Sequence, residues 1–197
     1  VSTGAQMRRE FVALVEMMVH VALRRPASDE RPIAEKQIPA VGRNVHGEPG
    51  IAGIRQLEAR AQSLMREQFG HADFQPGQWE PMRALLAGRD AIVVMPTGSG
   101  KSLIYQLPAL MFEGPTVVVT PLIALMKDQE DKLSACGVDV IAMHSHLTDT
   151  QARDIHERVG SGQGAILYLT PERFKDREFF GRLLGRRVSL LVIDEGH

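Results

Sequence analysis

The segment Ala91-Ile92-Val93-Val94-Met95-Pro96-Thr97-Gly98-Ser99-Gly100-Lys101-Ser102 carries three signals in a fixed order. A run of β-formers comes first, a Gly-rich turn follows, and the turn closes on Gly-Lys-Ser before an apolar, helix-compatible stretch. That order predicts a strand, a phosphate-binding loop and a helix N-terminus. Gly98 and Gly100 let backbone N–H groups approach phosphate oxygens with no Cβ in the way. Thr97 and Ser99 complete the turn. Lys101 would reach the β- and γ-phosphates, and the Ser102 hydroxyl would sit on Mg²⁺. The usual first Gly of the motif is replaced by Met95, so a plain strand-to-helix loop with a surface Lys is the competing reading.

Outward from this loop, strand-like and helix-like segments alternate. Ile54, Leu57, Ala61, Leu64 and Met65 follow a helical period, which predicts an amphipathic helix over Ile51–Gln68. Trp79–Ala87 and Leu103–Phe112 read as helices, the second despite Pro108. Strands are expected at Ala91–Met95, Thr116–Thr120, Val138–Met143, Ala165–Leu169 and Val188–Ile193, with helices between them, including Arg177–Gly185. The strands are apolar on both faces. This predicts a parallel sheet flanked by helices, with ligands at the carboxyl ends of the strands. The loops after the strands should then share one rim.

The first fifty residues differ in character. Arg8 to Leu23 is largely apolar and reads as a helix, with a signal-peptide core as the runner-up; Arg24–Gly50 is rich in Pro, Gly and charge and reads as linker. Two units are expected: 1–50 as extension, 51–197 as an α/β domain. Both ends of the sequence look like cuts. The net charge of −1 provides no global field for nucleic acid, so any such contact must be local. The single cysteine, Cys136, excludes an internal disulfide and suits a reducing compartment, with a cytoplasmic (nucleoid-associated, if bacterial) location expected. No window is apolar enough to span a bilayer.

Asp194 and Glu195 end the last apolar strand. Two adjacent acids there are costly unless they meet a partner. Beside MgATP, Asp194 would hold Mg²⁺ together with Ser102, and Glu195 would orient the attacking water. His144 and His146 lack a third ligand nearby and read as loop residues.

The phosphate loop, Asp194-Glu195-Gly196-His197, the stretch Thr120 to Gln129 and the stretch Phe69 to Gln78 together resemble the first RecA-like domain of RecQ-family ATP-dependent DNA helicases, within superfamily 2, from about Leu57 onward. The resemblance implies a RecA-like P-loop fold, ATP and Mg²⁺, and 3′-to-5′ translocation on single-stranded or partly duplex DNA in a parent that also has a second RecA-like lobe. It implies that Gln78 reads the adenine edge, that His197 couples hydrolysis to DNA, and that Thr120, Pro121, Lys127, Thr170 and Arg173 track the DNA backbone. The sequence departs from the family at His71, usually aromatic, at Gln75, usually Arg, and at Gly196, usually Ala. A kinase, a DEAD-box-like RNA helicase lobe and a truncated nucleotide-binding module that is not catalytic are the alternatives.

Overall fold

The computed structural model describes residues 51–194 except 97, 145, 163, 177–178, 180, 182 and 184–187. The expected N-terminal helix and linker, Thr97, and Glu195 to His197 lie outside the described residues, as does most of the helix expected over Arg177–Gly185.

Helix α1 (Ile51–Phe69) and helix α2 (Trp79–Leu86) precede the loop, and helix α3 (Leu103–Ala109) follows it. Strand β1 (Thr116–Val119), helix α4 (Ile123–Ala135), strand β2 (Val140–Met143), helix α5 (Asp149–Gly160), strand β3 (Ile166–Leu169), a 3₁₀ turn (Pro171–Lys175) and strand β4 (Leu190–Ile193) complete the order. The strands pair in the order β2-β3-β1-β4, all parallel, with Val118 beside Tyr168 on one side and Val192 on the other. This is the parallel α/β architecture expected of a RecA-like helicase domain.

The period-2 alternation of the strands sorts their side chains into two cores. Val117, Val119, Ile141, Met143, Leu167 and Leu169 face Ile155 and Val159 of α5, together with Phe179 and Leu183. Val118, Val140, Ala142, Ile166 and Tyr168 face Tyr105 and Ala109 of α3, and Met126 and Leu133 of α4. A third core joins the helices alone: Leu57, Ala61 and Met65, spaced four apart on α1, pack against Met82, Leu86, Leu103 and Leu107. The helix caps follow local chemistry. Thr148 and Gln151 form a reciprocal capping box at the start of α5. Helix α3 carries Pro108 in its last turn, where the missing N–H forgoes one bond to the turn before it, and closes with the Leu110 N–H on the Leu107 carbonyl at 3.2 Å.

One expected element is corrected. Ala91–Met95 forms no regular element and pairs with no strand among the described residues. Ile92 is 97% exposed and Val94 92%, while Val93 and Met95 turn inward onto the helical core. An apolar run becomes a strand only where a sheet edge lies in register beside it, and β4 pairs β1 alone among the described residues.

Candidate nucleotide and nucleic-acid site

The phosphate loop is built by its own backbone. Gly98 and Gly100 have φ of +80° and +74°, the left-handed region that glycine enters freely. The Ser99 hydroxyl and N–H both donate to the Pro96 carbonyl, at 2.6 and 3.3 Å, closing the turn. Lys101 Nζ donates to the Met95 carbonyl at 3.2 Å, so its ammonium lies folded along the loop. Leu103 N–H bonds Gly100 O at 3.2 Å, and Gln106 N–H bonds Ser102 O at 3.0 Å. The loop thus passes directly into α3.

Gln78 is 2% exposed, and its amide is committed to the backbone. Its Oε1 accepts from Gln75 N–H at 2.8 Å, and Nε2 donates to the Gly100 and Ser99 carbonyls at 3.1 and 3.4 Å. This differs from an amide open to an adenine edge. A primary amide satisfies backbone groups as readily as a base, and here it ties the turn before α2 to the phosphate loop. Phe74 and Trp79 stack beside this tie with ring centroids 5.4 Å apart.

The end of β4 meets α3 at a phenol. Asp194 N–H bonds Val119 O at 2.9 Å, extending the sheet pairing by one residue. Its carboxylate Oδ2 accepts from Tyr105 Oη at 3.3 Å. Tyr105 lies one helical turn beyond Ser102, the residue that opens α3. Tyr105 therefore joins the helix that Ser102 opens to the carboxylate that ends β4. A hydroxyl and a carboxylate are the hard donors that Mg²⁺ takes alongside retained waters, so the residues fit that ion. Burial raises the Tyr105 phenol above its ordinary range, and the neighbouring Tyr168 and the Asp194 charge push the same way. It stays a neutral O–H donor.

The sequence reading missed this group. The chain's two tyrosines touch, Tyr105 Oη to Tyr168 Oη at 3.4 Å. Tyr168 Oη also accepts from Gln106 Nε2 at 3.1 Å, and the same Nε2 donates to Gln129 Oε1 on α4 at 2.7 Å. The available signal was a Gln inside the apolar segment after the Gly-Lys-Ser turn, a polar residue at a position that burial makes costly.

At the other end of the rim, the nucleic-acid candidates separate. Pro121 and Lys127 are exposed. Arg173 is half-buried and its guanidinium donates twice to the His144 carbonyl, at 3.0 and 2.6 Å. Thr120 and Thr170 are 1% exposed, which departs from the expectation that their hydroxyls face a strand of DNA. They follow central strands covered on both faces, so the first residue past each strand is still roofed over. His144 titrates below its ordinary value, first through loss of solvent and then through the neighbouring His146, Arg173 and Lys127. These four groups therefore form one local basic cluster. Among the described residues no group of three or more metal-ligating side chains exists, and no helix is long and apolar enough to cross a membrane.

Residues 75–197 match the DEAD/DEAH box helicase family, and the chain belongs to it. It is 44% identical over 137 residues to the ATP-dependent DNA helicase RecQ of Haemophilus influenzae, covering 70% of this chain and 22% of that protein. It is 46% identical over 143 residues to RecQ of Bacillus subtilis, covering 70% of this chain and 24% of that protein. It is also 39% identical over 152 residues to the ATP-dependent helicase wrn-1 of Caenorhabditis elegans, covering 74% and 14% respectively. The chain thus spans between a seventh and a quarter of the length of these relatives. Helicases of this family use ATP.

Proposed function

We propose that this chain is the ATP-binding lobe of a RecQ-type DNA helicase, a motor that couples ATP hydrolysis to 3′-to-5′ movement on single-stranded DNA. The observation that carries the proposal is the Tyr105–Asp194 contact, which brings the helix after the phosphate loop and the acid at the end of β4 to one point. In this reading Thr97 to Ser102 wrap the phosphates, with Lys101 leaving the Met95 carbonyl to meet them. Ser102 and Asp194 hold Mg²⁺, which neutralises charge on the phosphates when bound. Glu195 orients the water, and His197 carries the nucleotide state toward DNA. Gln78 reads adenine if one amide proton exchanges its loop carbonyl for the base; otherwise it holds the loop in place.

DNA phosphates meet Lys127 and Arg173, with Pro121 at the surface. Thr120 acts from beneath, its hydroxyl accepting from the Leu122 N–H at 3.4 Å, whereas the buried Thr170 hydroxyl has no hydrogen-bond partner among the described residues. Such contacts position a strand and carry no sequence information. In related NTPases an arginine from a second lobe or partner contributes on the order of 10³–10⁵ in rate, so this lobe alone binds MgATP weakly and turns it over negligibly. A cytoplasmic, DNA-associated location follows from the activity. An RNA helicase lobe and a purely binding module are the readings it displaces.

Calorimetry with a non-hydrolysable MgATP analogue tests the core of this. Binding is expected, and Lys101→Ala should abolish it while leaving the melting temperature unchanged. Equal affinity in Lys101→Ala would overturn the reading, and preference for RNA over DNA oligonucleotides in competition would favour the RNA-helicase alternative.

A further inference from the structure

A chain of buried and half-buried hydrogen bonds runs from the proposed nucleotide end of the domain to helix α4. Gln129 Oε1 accepts from Gln106 Nε2, Gln106 Nε2 donates to Tyr168 Oη, Tyr168 Oη meets Tyr105 Oη, and Tyr105 Oη donates to Asp194. Proton accounting fixes its direction. A phenol has one proton, and a carboxylate only accepts. Tyr105 therefore spends its proton on Asp194, and Tyr168 must donate to Tyr105. Tyr168 then has only lone pairs to offer Gln106, whose amide nitrogen has two protons and uses both. The series is satisfied in one orientation.

Its position is as telling as its direction. Asp194 lies at one end, where Tyr105 is one helical turn from Ser102. At the other, Gln129 lies on α4 two residues from the exposed Lys127, and Tyr168 lies on β3 three residues before the turn that carries Arg173. Tyr105, Gln106 and Tyr168 are all buried, within a core otherwise made of Val118, Met126, Leu133 and Ile166. Phenylalanine and leucine would fill this space without polar atoms to satisfy, so packing alone does not explain the hydroxyls and amides.

We infer that Tyr105, Tyr168, Gln106 and Gln129 are positioning residues that couple the nucleotide end of this domain to its DNA-facing helix α4. This rests on the function proposed above. Asp194 is the terminal acceptor, so a ligand that draws on its lone pairs weakens the hold on Tyr105. Because Gln106 serves both Tyr168 and Gln129 from one nitrogen, a shift at either end reorients the other. The 3.3 and 3.4 Å tyrosine contacts are longer than the usual ~2.7–2.8 Å between hydroxyls and their acceptors, so they are the links that yield first.

The test is a linkage measurement on the chain. Affinity for Mg²⁺–AMP-PNP is measured with and without saturating oligothymidine, and oligothymidine affinity with and without the nucleotide. The expected coupling factor is about fivefold or more and the same in both directions. Gln129→Leu and Tyr168→Phe should bring it within about twofold of unity, with each separate affinity and the far-UV spectrum retained. Gln129→Glu keeps an acceptor for Gln106 and should restore coupling. Coupling that persists in Gln129→Leu and Tyr168→Phe, or a wild-type factor of one with both ligands bound, overturns the inference alone. Absence of nucleotide or DNA binding overturns the proposed function, and this inference with it.

Discussion

Replacing Gly100 with alanine is the sharpest probe of how the phosphate loop is held. At φ +74° any L-residue is strained, by about 1–2 kcal/mol. An added Cβ would also lie 2.5 Å from Gln78 Nε2. That atom is the tip of a flexible side chain, so the clash resolves by swinging the amide away. The swing breaks its bonds to Ser99 and Gly100 and strands a buried donor, at a cost of about 1–3 kcal/mol. Gly100→Ala should therefore lose roughly 2–5 kcal/mol, a large part of a typical 5–15 kcal/mol stability. Gly98→Ala is the control: its φ is +80°, but nothing lies within 4 Å of its Cβ, so only the conformational cost of about 1–2 kcal/mol applies. Urea denaturation of both variants, of Gln78→Ala and of the Gly100→Ala/Gln78→Ala double variant gives the comparison. The double variant has no amide left to displace, so its loss should fall short of the sum of the singles. Strict additivity, or Gly98→Ala as damaging as Gly100→Ala, would refute the reasoning.

Further outcomes follow from the same geometry. Asp in place of Ile92 or Val94 should change the stability of this chain by no more than about 0.5 kcal/mol in thermal melts, since both side chains face solvent. Gly164→Ala should cost more than Gly162→Ala: both have positive φ, but only at Gly164 does a Cβ meet Leu167 and Ile141, at 2.5 and 3.0 Å, adding about 1–3 kcal/mol of overpacking. His144 has its pKa lowered by lost solvent and by its cationic neighbours, so the fold favours its neutral form and loses stability as pH falls through the unfolded value near 6.5. A DNA phosphate at the cluster reverses that preference and draws a proton onto the ring. Oligothymidine affinity, followed by fluorescence anisotropy from about pH 8 to pH 5, should rise on acidification, and His144→Asn should flatten the rise.

The sequence by itself determined the order of elements and the shared rim. Alternating apolar strands with helices between them, and a Gly-Ser-Gly-Lys-Ser turn, constrain local geometry through steric and periodic rules that need no knowledge of neighbours. It also marked Asp194 and Lys101, because a carboxylate ending a buried strand and a lysine ending a glycine turn are conspicuous one residue at a time. Tertiary structure decided the rest, because pairing and burial are properties of two segments at once. Ala91–Met95 has the composition of a strand, yet forms none without an edge beside it. Thr120 and Thr170 look like surface hydroxyls until the sheet covers them, and Gln78 looks like a free amide until Gly100 arrives 22 positions later in the chain. The path from Asp194 through two tyrosines to Gln129 joins residues up to 89 positions apart, and only the folding of α3 and α4 onto one face of the sheet makes it continuous.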